Sequence, residues 1–567
     1  SQKGRDANGR EKDNDVRAIR GGENPDPTQR CPLNFGTLYR STISWQHHVG
    51  THTHPIEATG VTTPSVIYVM RRCLAVGALL VMVSACSSGS SSSDSTPDTR
   101  APVSTLYAPA EGGTLKWKSC SGDSLDPLQC ARLSVPFDYN NPSKGSFSLK
   151  LVKRPANIRT QRVGSMLVNP GGPGFGGTDL PENAESYFST TLIDTFDIIG
   201  WDPRGTGEST PAVDCVDNYD TYFTNDPTPE TEAEHQDLID ISKAFNAECQ
   251  KKSGEILPYI STNATARDMD MIRAALGEEK ITYFGFSYGS ELGATWATMF
   301  PSTVRAAVLD GATDPTSNYM QGGLDQAKGF ETEFTKFLAQ CSANKKCPFY
   351  NNGDAEGAFD KLIKELDERP LQMSKTRALV NQAIAYTAVS QAMYSSTMWP
   401  ELEVALRDAQ QGDGAGLMAL FDSYYRRTPD GKYGNELEAF NAIMCLDDPG
   451  PKTVEETDSY IPQFLEVAPR LGISFTGGYT CVFWPAKPDP RIEITGNGAG
   501  PIIVVGTTGD AATPLASSRK MASTLEDGRL IVVDEDRHTG YGSNDCVGTA
   551  VDNYLVTTKV TFAEKAC

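Results

Sequence analysis

Residues 281–310 constrain the fold of this chain more than any other stretch. "ITYFGF" is a short run with strand preference, "ELGATWATMFP" reads as a helix closed by Pro301, and "VRAAVLDG" is a second apolar strand. Strand–helix alternation of this kind builds a parallel sheet covered on both faces. Between the first strand and the helix sits Gly285-Phe286-Ser287-Tyr288-Gly289. A G-x-S-x-G pentapeptide between a buried strand and a helix has the form of a nucleophile elbow, in which a sharp turn lifts the serine hydroxyl above the sheet. The two glycines permit the turn, and Gly293 lets the helix pack close to the sheet.

The alternation extends in both directions. "GSMLVNPGGPGFGG" (164–177) and "FDIIGWDPRGTGES" (196–209) are apolar strands running into glycine-rich or polar turns. "ARDMDMIRAALG" has helical apolar spacing at Met269, Ile272 and Leu276, with Gly277 as a C-cap. Upstream, "ARLSVPFDY" and "FSLKLVKRPA" alternate like strands of an antiparallel edge. Past about residue 318 the pattern turns helical, as in "NQAIAYTAVSQAMYSSTMWPELEVALRDA", before strands resume in "PIIVVGTTGDAATP" and "RLIVVDEDRHTGYG". The expected organisation is a core of residues 106–317 and 499–567 interrupted by a helical cap over 318–498.

The N-terminal region reads differently. No methionine precedes Met70, and residues 1–69 are polar and patternless. They are expected to be upstream translation or a disordered segment, with Met70 as the true start. "MRRCLAVGALLVMVSAC" then has two arginines, an apolar run over Cys73–Val83, and small residues before Cys86. That is the form of a secretory signal, too short to span a bilayer as a helix. Val83-Ser84-Ala85-Cys86 resembles a lipobox, so residues 70–85 are expected to be a lipoprotein signal peptide and Cys86 the lipidated residue. Residues 86–105 carry "SSGSSSSDSTPD" directly after Cys86, a flexible tether. The expected location is the bacterial cell envelope, with the chain lipid-anchored to a membrane.

Export bears on the cysteines. Setting aside Cys31, Cys73 and Cys86 from the 13 leaves an even set, which reads as a disulfide framework. Neighbours in sequence suggest the pairs Cys120–Cys130, Cys215–Cys249, Cys341–Cys347, Cys445–Cys481 and Cys546–Cys567. Metal-ligand spacings are lacking, and no metal or cofactor is expected. With 51 Lys+Arg against 72 Asp+Glu, phosphate backbones would be repelled, so nucleic acid is not an expected partner.

A serine hydroxyl needs a base. Four of the six histidines precede residue 55, leaving His235 and His538. His235, in the acidic "ETEAEHQDLID", reads as a surface residue. His538 follows the last strand, in a turn with Gly540 and Gly542, and is the expected base. Asp510, in the polar turn after "PIIVV", is the expected acid, preferred over Asp534, Glu535 and Asp536 because adjacency in sequence does not aim a carboxylate at Nδ1. Backbone N–H groups of Tyr288 and of Gly171 or Gly172 in "NPGGPG" are the expected oxyanion donors. Asp202 and Arg204 read as structural supports for the loops around the site.

Taken together, "NPGGPGFGG", "GWDPRGTGES", "ARDMDMIRAALGEEKITYFGFSYGSELGATWATMFP", "VLDGATDP", "AIMCLDDP", "CVFWP" and "GTTGDAATP" resemble secreted bacterial tripeptidyl aminopeptidases and their prolyl-aminopeptidase relatives. The resemblance covers about 110–567. It implies an α/β-hydrolase core with a helical cap, and removal of short peptides or single residues from free N-termini through an acyl-enzyme. Ser287, Asp510 and His538 inherit the triad roles, and the 169–174 loop the oxyanion role. Peptides are then the expected substrates. An aminopeptidase needs an anion for the substrate ammonium; among Glu436, Glu438, Asp447 and Asp448, the last two are preferred, since "CLDDP" and "CVFWP" suggest a disulfide-tied piece of cap over the site. The alternatives are an esterase or lipase-like hydrolase using the same residues, and a catalytically silent envelope binding protein.

Overall fold

The computed structural model describes residues 107–110, 114–122 and 127–567. The segment 1–69, the signal at 70–85, Cys86 and the tether over 86–105 lie outside the described residues.

Among the described residues the strands are β1 (Lys118–Ser119), β2 (Gln129–Pro136), β3 (Ser146–Arg154), β4 (Gly164–Asn169), β5 (Phe196–Trp201), β6 (Ile281–Phe286), β7 (Val304–Asp310), β8 (Ile502–Thr507), β9 (Gly528–Val533) and β10 (Glu564–Ala566). They form one sheet in the order β1-β2-β3-β5-β4-β6-β7-β8-β9-β10. β1, β2 and β3 pair antiparallel, as does β3 with β5, and every pairing from β5 onward is parallel. The difference follows from burial. β4, β5 and β8 are buried at every position, as strands covered on both faces must be. In β3, Phe147, Leu149 and Leu151 turn inward while Ser146, Ser148 and Lys150 beside them are wetter.

One face of the sheet is covered by the helices Thr262–Leu276 and Tyr288–Met299, which bury Met269, Ile272, Leu292 and Trp296. The other packs under Thr190–Thr195 and Asp545–Thr557 through Leu192, Val547, Val551 and Tyr554. The helix 262–276 starts seven residues before Met269, the first residue of the apolar spacing. The Ser261 hydroxyl accepts from the Ala264 N–H and caps it, and Gly277 at φ 74° ends it.

Between β7 and β8 the chain is helical: Tyr319–Ala343, Ala355–Glu368, Gln382–Met393, Trp399–Gln410, Ala415–Tyr424 and Glu436–Asp447 are its longer helices. The first five build a second core around Phe334, Phe337, Phe359, Val389, Leu402 and Phe421. The end of the expected 318–498 cap behaves differently. Residues 485–501 have no helix, and Ile494 and Ala499 join the apolar cluster of the sheet, as do Ala442, Ile443 and Leu446 of helix 436–447. This stretch therefore straps the cap onto the core. All five sequence-neighbour disulfides form, and Cys445–Cys481 ties helix 436–447 to the segment that leads into the strap.

Candidate active site

β6 ends at Phe286, the helix begins at Tyr288, and Ser287 makes the turn between them at φ 55°, ψ −128°. Positive φ is costly for an L-residue other than glycine, on the order of 1–3 kcal/mol, and persists only where neighbours enforce it. Here the Ser287 N–H donates to the Asp310 carbonyl at the end of β7, 2.7 Å away. The helix also lies tight on the sheet, because a Cβ at Gly293 would stand 2.3 Å from the Tyr283 ring.

Asp510 lies beyond β8 and His538 beyond β9. His538 Nδ1 is 2.9 Å and 3.0 Å from the two Asp510 carboxylate oxygens. Asp510 is buried and accepts the N–H groups of Ala512 (3.0 Å), Thr513 (2.8 Å) and Thr539 (3.3 Å), plus the Thr513 hydroxyl (2.9 Å). The carboxylate is therefore locked in one orientation, and its hydrogen bond sets the imidazole tautomer that leaves Nε2 as the acceptor. Nε2 is shielded from solvent and has no hydrogen-bond partner among the described residues. Burial pulls the imidazolium pKa down, but the attraction of Asp510, aided by Asp310, outweighs it and holds the pKa above 6.5. Asp534 instead accepts from Thr508, and Asp536 pairs with Lys336.

Asp310 joins the two halves of the site. Besides accepting from Ser287, it is fully buried and its carboxylate accepts the Gly540 and Tyr541 N–H groups at 2.7 and 2.8 Å. The next residue, Gly311, has φ +67°, and a Cβ there would come 3.0 Å from His538 Cε1.

The "NPGGPG" loop lies against the elbow. A Cβ on Gly171 would stand 2.5 Å from the Phe286 carbonyl and 2.8 Å from Ser287 Cβ, so only glycine fits. The Gly171 N–H, however, donates to Asn169 Oδ1 at 2.9 Å. This corrects the expectation for Gly171: its proton is spent on bracing the loop. Gly172 and Tyr288 both line the cavity beside Ser287. Tyr288 is the first residue of its helix, where an N–H has no intrahelical acceptor.

That cavity holds about 350 Å³ and is walled by residues of the core and the helical segment, among them Tyr319, Phe440, Met444 and Phe475. Its charged lining is one-sided. Glu291, Asp314, Asp325 and Asp448 face a single cation, Arg491. Arg491 bonds Glu291 at 2.8 Å and reaches Asp448 at 3.5 Å. Asp448 thus lines the cavity as expected, but Asp447 does not. It is buried with its carboxylate accepting the Thr262 N–H (2.9 Å) and the Thr262 hydroxyl, and Thr262 in turn bonds the Tyr288 phenol. Burial pushes the Asp447 carboxyl up to about 8. Asp447 is the last helical residue and Asp448 is already extended, at φ −148° and ψ 96°, so the two carboxylates leave the chain in different directions. Glu438 is buried on the Val216 N–H, and Glu436 does not line the cavity either.

Residues 164–545 match the family model described as the alpha/beta hydrolase fold. The chain belongs to the α/β-hydrolase family. Among curated proteins it is 33% identical over 477 residues to "Serine protease Hip1" of Mycobacterium tuberculosis, covering 80% of this chain and 90% of that one. It is 35% identical over 469 residues to "Carboxylesterase B" of the same species (79% and 89%), and 30% identical over 473 residues to "Tripeptidyl aminopeptidase" of Streptomyces lividans (80% and 86%).

In this α/β-hydrolase, sequence reading placed Ser287, Asp510 and His538 on three turns beyond strands β6, β8 and β9. It missed Thr513, Asp310 and Glu291. Thr513 lies 3.2 Å from His538 Nδ1 as well as on Asp510, a double contact that its position three residues past the acid allows. Glu291, four residues past Ser287 on the elbow helix, shares its face, and that spacing was a usable signal. His235 is not a plain surface residue. It is half-buried, with Nε2 2.8 Å from the Tyr479 hydroxyl and 3.2 Å from Asp458. Arg204 and Asp268 form a fully buried ion pair, and Asp202 accepts from the Thr178 hydroxyl and the Glu208 N–H.

Proposed function

We propose that this chain is a serine peptidase that releases short peptides from free N-termini. The observation that carries the reading is the His538 side chain, with Nδ1 on Asp510 and an unpartnered, shielded Nε2, in a fold that also presents Ser287 on a strained elbow. Ser287 Oγ attacks the scissile carbonyl carbon as its proton passes to His538 Nε2. The oxyanion is held by the N–H groups of Tyr288 and Gly172. The C–N bond then breaks, His538 returns the proton to the leaving amine, and water hydrolyses the acyl-enzyme by the same route in reverse. Asp510 orients the imidazole and stabilises its charged form without taking the proton.

The acidic lining favours a substrate whose end in the cavity is an ammonium. Asp314 and Asp325 have no ion-pair partner among the described residues, and Arg491 only partly offsets Glu291 and Asp448. Charge-assisted hydrogen bonds of this type contribute about 1.5–3 kcal/mol, so acetylating the substrate amine should cost about ten- to a hundredfold in kcat/KM. The relatives named as a tripeptidyl aminopeptidase and a serine protease support the same reading. The relative named as a carboxylesterase favours a second one, in which the same serine cleaves esters. A free-amine tripeptidyl amide, its N-acetyl analogue and a short-chain ester separate them. Preference for the free amide supports the aminopeptidase; equal cleavage of free and blocked amides, or of the ester alone, contradicts it.

The envelope location is part of the proposal. Met70–Ala85 and Cys86 support export and lipidation, and the disulfides suit an oxidising compartment. Mass spectrometry of the membrane fraction should find diacylated Cys86 as the N-terminus, and Cys86→Ser should release active enzyme; a free N-terminus elsewhere would count against it.

A further inference from the structure

A second cavity, of about 950 Å³, opens beside the one that holds Ser287. The two share four wall residues: Tyr319, Phe440, Ser474 and Gly477. They are therefore adjoining chambers divided by a short partition. The lining of the second mixes apolar side chains, among them Tyr222, Phe223, Leu238, Ile241, Ile461 and Leu465, with polar and charged ones. Its floor and rim come from helix Glu232–Ser253 on one side and the 457–480 segment on the other, clamped together by His235, Tyr479 and Asp458.

The helical segment is poorly suited to lifting off as a lid. The His538 N–H donates to the Tyr394 carbonyl at 2.8 Å, the Ser396 N–H to the Asp536 carbonyl at 2.9 Å, and Lys336 pairs with Asp536. Raising it would drag the loop that carries His538 out of register with Asp510. A long substrate therefore needs a way past the fixed cap, and the adjoining chamber supplies one.

We propose that the second chamber binds the leaving side of the peptide substrate, the residues C-terminal to the scissile bond, with a preference for apolar side chains. This rests on the peptidase reading above. The direction follows from the balance of charge. Around Ser287 four carboxylates, Glu291, Asp314, Asp325 and Asp448, face Arg491 alone, whereas in the second chamber Asp458 is engaged by His235 and Tyr479, and Arg470 stands against Glu230 and Glu232. The ammonium is therefore held better beside Ser287, the short N-terminal portion ends there, and what continues across the partition is the departing chain. The apolar part of the wall stabilises apolar side chains of that chain by burial, the usual source of affinity in such clefts.

The test compares two substrates sharing one N-terminal tripeptide: an arylamide with a small leaving group, and a peptide with about eight further residues, several of them apolar. Ser242 and Leu465 line the second chamber and not the first, and neither side chain is fully buried. Ser242→Trp and Leu465→Trp fill the chamber from opposite walls. Both variants are expected to cut kcat/KM for the long peptide about tenfold while leaving the arylamide within about twofold. If the long peptide is unaffected by both, or both substrates slow equally, the proposal is wrong. If the wild-type protein cleaves neither substrate, the peptidase reading itself fails, which the wild-type control shows separately.

Discussion

The Asp310 carboxylate accepts the Gly540 N–H at 2.7 Å, and the carbonyl of the same residue accepts the Ser287 N–H at 2.7 Å. One residue at the end of β7 thus fixes both the elbow and the loop two residues past His538. Burial raises the Asp310 carboxyl to about 6, against the opposing pull of its two N–H donors. Asp310→Asn keeps the size but replaces one acceptor with a donor facing an N–H. We expect kcat to fall about ten- to a hundredfold with KM little changed, matching a loss of about 1.4–2.7 kcal/mol in positioning. Steady-state kinetics would check it; unchanged kcat would mean the loop is held by other contacts.

The base must be neutral to act. Its pKa stands above 6.5 in the folded protein, so the acid limb of kcat/KM should have its midpoint above that value, with activity falling as pH drops through it. The same shift means that His538 adds stability below pH 6.5, which is lost as pH rises through the folded pKa. Thr513→Val removes a hydroxyl that touches both Asp510 and His538. Activity should fall about tenfold across the pH range, as expected for one lost hydrogen bond to a charged group. A pH–rate profile of both proteins tests this, and a Thr513→Val protein as active as the wild type would leave Thr513 without a positioning role.

How much was legible before the structure depends on what each feature needs. The strand–turn–helix frame gave the elbow because local pattern and local chemistry coincide there. The acid and base were legible because only two histidines lie beyond the signal and only one follows a strand. Asp447 against Asp448 was not legible, since the choice depends on how helix 436–447 is rotated against Thr262. Gly171 was misjudged for a similar reason: the Asn169 side chain that takes its N–H is a tertiary detail of the turn. The strap over 485–501 lacks periodicity because it follows the surface of the core instead of forming an element.

Asp447 leads to a prediction about stability. Its pKa is raised from 3.8 to about 8, so the folded state holds a proton that the unfolded chain gives up above pH 3.8. Stability from this group is therefore present at low pH and drains away as pH rises through about 8. Asp447→Asn keeps an acceptor for Thr262 without the charge. Relative to wild type it should gain on the order of 1–3 kcal/mol at pH 8.5 compared with pH 5.5, read as a difference in denaturant midpoints. A pH-independent difference between the two proteins would contradict the buried, protonated carboxyl.

The central claim is that Ser287 is the nucleophile of a peptidase, and labelling tests it most directly. Wild-type protein treated with a fluorophosphonate should carry one adduct, located by peptide mass spectrometry on Ser287, and should lose hydrolysis of the free-amine tripeptidyl amide in step with labelling. Ser287→Ala should take no label and retain on the order of 10⁻⁴ of the activity or less. An adduct on another serine, or a Ser287→Ala protein that keeps a tenth of the activity, would place the chemistry elsewhere.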